Sequence, residues 1–169
     1  MAKRKSGGKN MLKAVLDFVI LALAGSIFGF LALPFAKASI SGSGYGAELG
    51  SFNGYDLLDF EANAGVATCI LLLIIFASAL ALFALLKFLG DAGLVKSSTF
   101  NKVCNLLTVV MALAVLVMTI VVMIVVPANC KTNGALGISG GTTAVWYSLI
   151  INACVGLASF VVSVFSIRK

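Results

Sequence analysis

The chain has 169 residues, of which 61% are hydrophobic and only 11% are charged. Soluble domains carry about 25% charged residues, and a soluble fold with this composition would lack the polar surface it must present to water. Histidine is absent, which excludes a histidine general base, a Ser-His-Asp triad and histidine metal ligands. The composition therefore predicts an integral membrane protein that is not an enzyme, with no catalytic, metal or cofactor site.

Four apolar runs are each long enough to cross the roughly 30 Å hydrocarbon core of a bilayer as a helix, at about 1.5 Å per residue. A helix satisfies its own backbone hydrogen bonds in lipid, and the runs lack the alternation of a β-barrel. We therefore predict an all-α fold, in which residues 1–169 form a single domain and a bundle of four transmembrane helices. The predicted spans are residues 14–33, 65–86, 103–126 and 144–167.

The first span contains Asp17, the one charged residue predicted to lie within a span. An acid inside the membrane is a candidate for proton- or cation-coupled function. Lys13 lies four residues earlier on the same helical face, so a structural Lys13–Asp17 ion pair is the other interpretation. Ala22, Gly25 and Gly29 form a stripe of small residues that favours close helix packing, either within the bundle or in a homodimer.

The loop after the first span, residues 34–64, is the longest segment outside the predicted spans. Asn53-Gly54 is a type I′ turn signal, which suggests a short β-hairpin that pairs residues 47–49 with residues 55–60. A short interfacial helix over residues 55–60 is the alternative. The loop is rich in leucine and aromatic residues, so we expect it to pack on the bundle. Its candidate partner-contact residues are Tyr55, Asp56, Leu58, Asp59 and Phe60.

The two remaining loops, residues 87–102 and 127–143, are shorter. Pro127 is expected to end the third span, because proline interrupts helical hydrogen bonding. The polar residues of spans three and four are expected to form hydrogen bonds between helices. They are Asn105, Thr108, Thr119, Ser148, Asn152 and Ser159.

The four cysteines are Cys69, Cys104, Cys130 and Cys154, and they form no C-x-x-C motif. The cysteine pattern therefore gives no support for a redox enzyme. A disulfide between Cys130 and Cys69 would require Cα atoms within about 7 Å. The alternatives for these cysteines are buried small apolar residues or palmitoylation.

The basic residues are distributed unevenly between the segments outside the spans. Ten of the twelve lie in residues 1–13, 87–102 and 168–169, whereas only Lys37 and Lys131 lie in the other two loops. By the positive-inside rule, both termini are cytoplasmic, and the protein is a multi-pass protein of the plasma membrane. The positive charge fits topology and anionic lipid headgroups, and no nucleic-acid partner is expected.

This plan resembles tetraspan proteins of the claudin and MARVEL type, which share four helices, inner termini, a longer first outer loop and a shorter second one. Claudins carry a W-GLW-C-C pattern in the first loop, whereas this chain has neither tryptophan nor cysteine between residues 34 and 64. The resemblance is therefore one of architecture and transfers no residue role. The sequence pattern is also similar to that of small four-span proteins of Gram-positive bacteria.

No combination of nucleophile, base and oxyanion donors can be assembled from the spacing of the residues. The first hypothesis is a non-enzymatic membrane scaffold or accessory subunit that acts through outer-loop and lateral helix contacts. Its partners would be the lipid bilayer and either another protein or further copies of the chain. The alternative is a small oligomeric transporter or channel that uses Asp17 and the polar residues of spans three and four.

Overall fold

The computed structural model describes the backbone of residues 5–42, 45–92, 94, 98–130, 132–135 and 138–168. These residues form four long helices, and the segments before α2 and before α4 contain β-strands. The elements in chain order are α1 (Lys5–Leu31), β1 (Pro34–Gly42), β2 (Tyr45–Asn53), a 3₁₀ turn (Asp56–Leu58), α2 (Phe60–Asp91), α3 (Ser98–Asn129), β3 (Thr132–Ala135), β4 (Ile138–Ala144) and α4 (Trp146–Arg168).

Each of the four helices contains a segment long and apolar enough to cross a membrane, which confirms the predicted number of apolar helices. Only 28% of the residues in the most apolar window of each segment are buried within the chain. So much exposed apolar surface is stable against lipid but unfavourable in water. The four helices therefore fit a multi-pass membrane protein. Their membrane segments are Met11–Leu31, Asn63–Asp91, Thr99–Asn129 and Trp146–Ile167.

Two helices extend further than the apolar runs suggested. The helix α2 continues to Asp91, so that Lys87 lies within the helix and is buried. The helix α3 passes through Pro127 and ends at Asn129, three residues after the end of the predicted span. Proline removes a single N–H donor, and so close to a helix end few hydrogen bonds remain to be lost.

The loop between α1 and α2 and the loop between α3 and α4 together form one antiparallel sheet, in the order β2-β1-β4-β3. The prediction of an all-α fold is therefore corrected to a mostly helical fold with a small sheet. The strand β1 pairs with β2 from its own loop and with β4 from the other loop. A pairing between segments so far apart in the chain has no local sequence signature.

A hairpin does form in the first loop, but its register differs from the predicted one. Its strands are β1 and β2, whereas Asn53-Gly54 stands at the end of β2. The side-chain Oδ1 of Asn53 accepts hydrogen bonds from the backbone N–H groups of Tyr55, at 2.8 Å, and Asp56, at 3.0 Å. Asparagine thus bonds to the backbone that follows it, and the pair ends the strand instead of reversing it. The predicted helix over residues 55–60 is reduced to the 3₁₀ turn.

The two faces of the sheet differ in polarity, because successive side chains of a strand point to opposite faces. On one face, Lys37 of β1 forms an ion pair with Glu48 of β2, with 3.1 Å between Nζ and Oε1. By alternation, Ala36, Ala38 and Ile40 of β1 lie on the opposite face. The sheet therefore has one polar face and one face of small and apolar side chains.

Two irregularities in the β1–β2 pairing place apolar side chains outside the regular ladder. Near the start of β1, a register shift separates Phe35 from β2. The Phe35 side chain is fully buried, and its carbonyl accepts a hydrogen bond from the N–H of Val145 at 2.8 Å. A second shift, next to Ser39, leaves Leu49 without a partner in β1, and Leu49 is 65% exposed.

The chain divides into two compact units. The terminal unit comprises Met1–Ile27, Ile74–Val117 and Val155–Lys169, and the sheet unit comprises Phe28–Leu73 and Met118–Cys154. In the terminal unit, buried apolar residues recur three, four or seven positions apart, so that each helix turns one face inward. These residues include Ile20, Ala24 and Ile27 of α1, Ala77, Leu80 and Ala84 of α2, and Ala112 and Val115 of α3.

In the sheet unit, two hydrogen bonds connect the segment after β2 to the end of α1. The N–H of Gly54 donates to the carbonyl of Leu31 at 2.7 Å, and the hydroxyl of Tyr55 donates to the carbonyl of Phe28 at 2.9 Å. The last carbonyls of a helix lack partners within the helix, and these two bonds supply them. The loop therefore packs on a helix, as expected. Buried residues of this unit include Leu31, Phe35, Ile70, Leu73, Val122, Val126 and Leu149.

Candidate functional site

Asp17 forms a buried ion pair within the terminal unit, and its partner is Lys87 of α2. Lys87 Nζ lies 2.8 Å from Asp17 Oδ1, and the two side chains are 3% and 0% exposed. The hydroxyl of Ser166 in α4 donates to the same carboxylate oxygen at 3.0 Å and accepts a hydrogen bond from Lys87. The predicted pairing with Lys13 is therefore wrong, because a buried carboxylate interacts more strongly with a desolvated ammonium than with a lysine that reaches water.

The cluster of Asp17, Lys87 and Ser166 joins three helices by charge-assisted hydrogen bonds. Because Lys87 lies beside the acid, the pair is neutral when both groups are ionised. One carboxylate oxygen, Asp17 Oδ2, has no hydrogen-bond partner in the part of the chain that the structure describes. A mobile cation that used Asp17 Oδ1 would first have to displace the ammonium of Lys87.

The other polar side chains of spans three and four do not follow one pattern. Thr108 and Ser159 donate to the carbonyl four residues earlier in their own helix, at 2.7 and 2.8 Å. For these two residues the prediction of interhelical hydrogen bonds is wrong, because a hydroxyl reaches that carbonyl without a second helix. The side-chain atoms Asn105 Oδ1, Ser148 Oγ and both polar atoms of Asn152 are buried and have no partner among the described residues.

The small-residue stripe of α1, Ala22, Gly25 and Gly29, is exposed. A Cβ atom built on either glycine would meet no described atom within 4 Å, so no other helix packs closely against them. Phe18 continues the same side of the helix and is 61% exposed. The described chain thus shows no packing within the bundle at this stripe, and its use as a homodimer face stays a prediction.

The five candidate partner-contact residues all lie between β2 and the first turn of α2. Asp56 and Leu58 begin and end the 3₁₀ turn, Asp59 precedes α2, and Phe60 is its first residue. Tyr55 and Phe60 are 41% and 49% exposed, although the hydroxyl of Tyr55 is engaged by α1. The structure brings the two acids together at a cavity.

This cavity lies within the sheet unit and has a volume of about 270 Å³. Its lining combines apolar and polar side chains. The apolar residues are Ala36, Phe52, Leu57, Val66 and Val126, and the others are Asp56, Asp59, Asn63, Asn129, Cys130 and Thr142. The sequence predicted a role for the two aspartates but not for Asn63 and Asn129. Each of these asparagines lies near the end of an apolar run, and this position was the feature of the sequence that could have indicated a role.

Backbone N–H groups hold both aspartates in place. Asp56 Oδ2 accepts a hydrogen bond from the backbone N–H of Asn53 at 2.9 Å. Asp59 Oδ1 accepts one from the backbone N–H of Glu61 at 2.9 Å, in the first turn of α2. These two backbone amides orient the carboxylates at the wall of the cavity.

Asn63 shapes the wall of the cavity where α2 departs from helical geometry, with φ of −157° and ψ of 87°. Its Oδ1 accepts a hydrogen bond from the N–H of Val66 at 3.2 Å, which is the geometry of a helix N-cap. Its Nδ2 donates to Asn129 Oδ1 of α3 at 3.0 Å. Asn63 therefore caps the membrane segment of α2 and connects it to α3.

Replacing Asn63 by alanine is expected to lower the free energy of unfolding by about 1–2 kcal/mol, because the cap and the link to α3 are both lost. The variant Asn63→Asp is the matched comparison, since it keeps the acceptor for Val66 and replaces the donor to Asn129 with a carboxylate oxygen. Thermal unfolding in detergent should place it between the wild type and the alanine variant. An alanine variant as stable as the wild type would contradict this role.

Apolar side chains are also exposed on the sheet itself. Ile40, Leu49 and Phe52 are 39%, 65% and 40% exposed. Ile40 and Leu49 border an open depression together with Gly140 of β4, and Phe52 lines the cavity. The strand β2 lies at the edge of the described sheet. Clustered apolar side chains beside a sheet edge are typical of a contact surface.

All four cysteines lie in the part of the chain that the structure describes, and all four are free thiols. The possible Cys69–Cys130 disulfide is therefore not formed. Cys130 lines the cavity and is half-buried, which makes it a chemical reporter for that site.

Comparison of the chain with known proteins finds no matching family model, no matching curated protein and no matching solved structure. The likeness to tetraspan proteins consequently rests on the four apolar helices alone.

Proposed function

We propose that the chain is a non-enzymatic integral membrane protein that binds a protein partner through its sheet unit, as a scaffold or accessory subunit. One observation carries the proposal: two loops far apart in the chain join in a single sheet. This sheet exposes Ile40, Leu49 and Phe52 next to a cavity. Ordering two loops costs conformational entropy, and apolar anchors surrounded by polar groups are the usual anatomy of a protein interface.

The proposed orientation has both termini in the cytoplasm and the sheet unit on the outer side of the plasma membrane. Its support is the distribution of basic residues, ten of which lie in residues 1–13, 87–102 and 168–169. Basic residues are retained on the cytoplasmic side. Four helices with this loop arrangement share the architecture of claudin- and MARVEL-type proteins, and that analogy also favours an interaction role.

Lateral contacts in the membrane are a second part of the proposal. The exposed stripe of Ala22, Gly25 and Gly29 allows another helix to approach the backbone of α1 closely. The neighbouring Phe18 is exposed beside it. A helix of the partner or of a second copy of the chain would fit this side of α1.

The alternative function, a small oligomeric transporter or channel, receives less support. Its central residue, Asp17, is held by Lys87 and Ser166. The ammonium of Lys87 already occupies a position beside this carboxylate. A structural role for the pair accounts for these contacts without transport.

Crosslinking in cells tests the proposal. A photoreactive residue placed at Leu49, which is 65% exposed on β2, is expected to yield one discrete crosslinked protein by mass spectrometry. Leu49 is a better position than Tyr55, because the hydroxyl of Tyr55 is needed for its bond to α1. The matched control is Ile124 in the membrane segment of α3, which is 62% exposed and should give lipid adducts. If Leu49 also gave lipid adducts or no adducts, the proposed function would be wrong.

A further inference from the structure

The buried face of α4 carries two polar residues in the sheet unit, Ser148 and Asn152. They are 0% and 1% exposed. The atoms Ser148 Oγ, Asn152 Oδ1 and Asn152 Nδ2 are all buried and have no hydrogen-bond partner among the described residues. Buried polar groups almost always have a partner, so three such atoms within about one helical turn point to a bound ligand.

Neither side chain uses the partner that other polar residues of the helices use. Ser163 donates to the carbonyl four residues earlier at 2.7 Å, and the amide of Asn129 does the same at 2.9 Å. Ser148 is the third residue of α4, so the residue four positions earlier, Ala144, lies in β4 and not in the helix. Asn152 has such a carbonyl in its own helix, but its amide does not donate to it. The partner therefore comes from outside the backbone of α4.

These atoms lie out of reach of bulk water. Asn152 stands six positions after Trp146, the first residue of the membrane segment Trp146–Ile167. At about 1.5 Å per residue, this places it about 9 Å along the helix. Since both side chains are also closed off from the surface of the chain, a ligand bound to them is enclosed within the protein.

The chemistry of the three atoms selects the kind of ligand. The amide of Asn152 offers two donors and an acceptor oxygen, and the hydroxyl of Ser148 can both donate and accept. A cation would need oxygens alone, and an anion would need donors alone. The membrane segment of α4 carries no charged residue, and an unpaired ion is costly to bury. A small neutral molecule that both donates and accepts hydrogen bonds fits, and water is the smallest of these.

The spacing of the two residues also suits water. Residues four apart on a helix have Cβ atoms about 5–6 Å apart on one face, and the two polar groups do not bond to each other. One water molecule spans such a gap with two hydrogen bonds of about 2.8 Å. We propose that Ser148 and Asn152 form an internal hydration site, in which an enclosed water molecule bridges the hydroxyl and the amide.

The free energies favour this arrangement. Ordering one water molecule costs less than leaving a buried donor or acceptor unpaired, and a buried water typically makes about three hydrogen bonds. An enclosed water stabilises packing and does not conduct, so the site separates Ser148 and Asn152 from the polar pathway of the alternative function. The inference concerns the interior of α4 and is independent of partner binding by the sheet.

Solid-state NMR of the full chain in phosphatidylcholine bilayers tests the site. The asparagine side chains carry ¹⁵N, and the Asn152 amide is assigned by its loss in Asn152→Leu. A cross-peak between water and this amide is expected. It should persist when a water-soluble gadolinium chelate quenches the signals of groups in contact with bulk water. The amide of Asn129, which is exposed, is the internal control that the chelate should quench.

Two serine variants then test the bridge. Ser148→Ala removes one of its two protein partners and should weaken or abolish the water cross-peak of Asn152. Ser159→Ala is the matched control, because the Ser159 hydroxyl already bonds to a carbonyl of its own helix, and it should leave the cross-peak unchanged. Equal effects of the two variants, or no effect of Ser148→Ala, would contradict the bridge.

Two results on the wild type would overturn the proposal. Absence of a water cross-peak at Asn152 would show that no water is bound there. A cross-peak that the chelate quenched together with that of Asn129 would show an open aqueous path instead of an enclosed site, and it would favour the channel alternative.

Discussion

Replacing Asp17 by asparagine is expected to destabilise the folded chain by about 3–5 kcal/mol, the usual cost of breaking a buried ion pair. Lys87 would keep its ammonium at a position that is only 2% exposed, after losing the carboxylate that lies 2.8 Å away. The hydroxyl of Ser166 is neutral and would not replace that carboxylate. Unfolding in increasing dodecyl sulfate, followed by the single tryptophan and by helical circular dichroism, measures this loss.

Two further variants test the cause of that loss. The double variant Asp17→Asn and Lys87→Met removes both charges of the pair and should recover most of the stability, because the buried ammonium is lost together with the carboxylate. Lys13→Met is the matched control, since Lys13 lies one helical turn from Asp17 without pairing to it. It should change stability by less than about 1 kcal/mol. A destabilising Lys13 variant, or a double variant no better than the single one, would contradict the assigned pairing.

Replacing Gly54 by alanine is expected to cost about 1–3 kcal/mol, the range for forcing an extra methyl group into a packed site. A Cβ atom at this position would lie 2.7 Å from Leu31 Cδ2 and 2.9 Å from the Leu31 carbonyl oxygen. The second of these atoms belongs to the backbone and cannot move aside without displacing the end of α1. The 2.7 Å hydrogen bond from Gly54 to Leu31 would then lengthen or break.

The matched control for Gly54 is Gly50→Ala in β2, where a Cβ atom would meet nothing within 4 Å. This substitution should change stability by less than about 0.5 kcal/mol. Amide hydrogen exchange in β1 and β2 should accelerate in the Gly54 variant and not in the Gly50 variant. Equal exchange in the two variants would show that the contact of Gly54 with α1 does not hold the sheet in place.

The cavity of the sheet unit could be predicted only in part from the sequence. Asp56 and Asp59 were predicted as contact residues from their position in a long loop. Their surroundings include Asn129 and Cys130, which are about seventy residues later in the chain. The hydrogen bond between Asn63 and Asn129 spans 66 positions. Spacing along a helix or strand reports neighbours within a few residues, so this part of the site was not predictable.

The four apolar helices were determined by the sequence alone. About twenty consecutive apolar residues are enough to define a membrane segment, because each helix satisfies its own backbone hydrogen bonds. Burial along each span also follows the local 3.6-residue period of the helix. Both properties depend on residues within a few turns of one another, and all four segments were recovered.

The tertiary structure alone decided which distant groups meet. It combined two loops into one sheet, with β1 between β2 and β4, where the loop sequence suggested only a local hairpin. It also gave Asp17 its contacts with Lys87 and with Ser166, which is 149 positions away, although Lys13 was the nearer candidate. Strand partners and buried ion pairs are selected by the free energy of the whole packed arrangement, to which residues far apart in the chain contribute together.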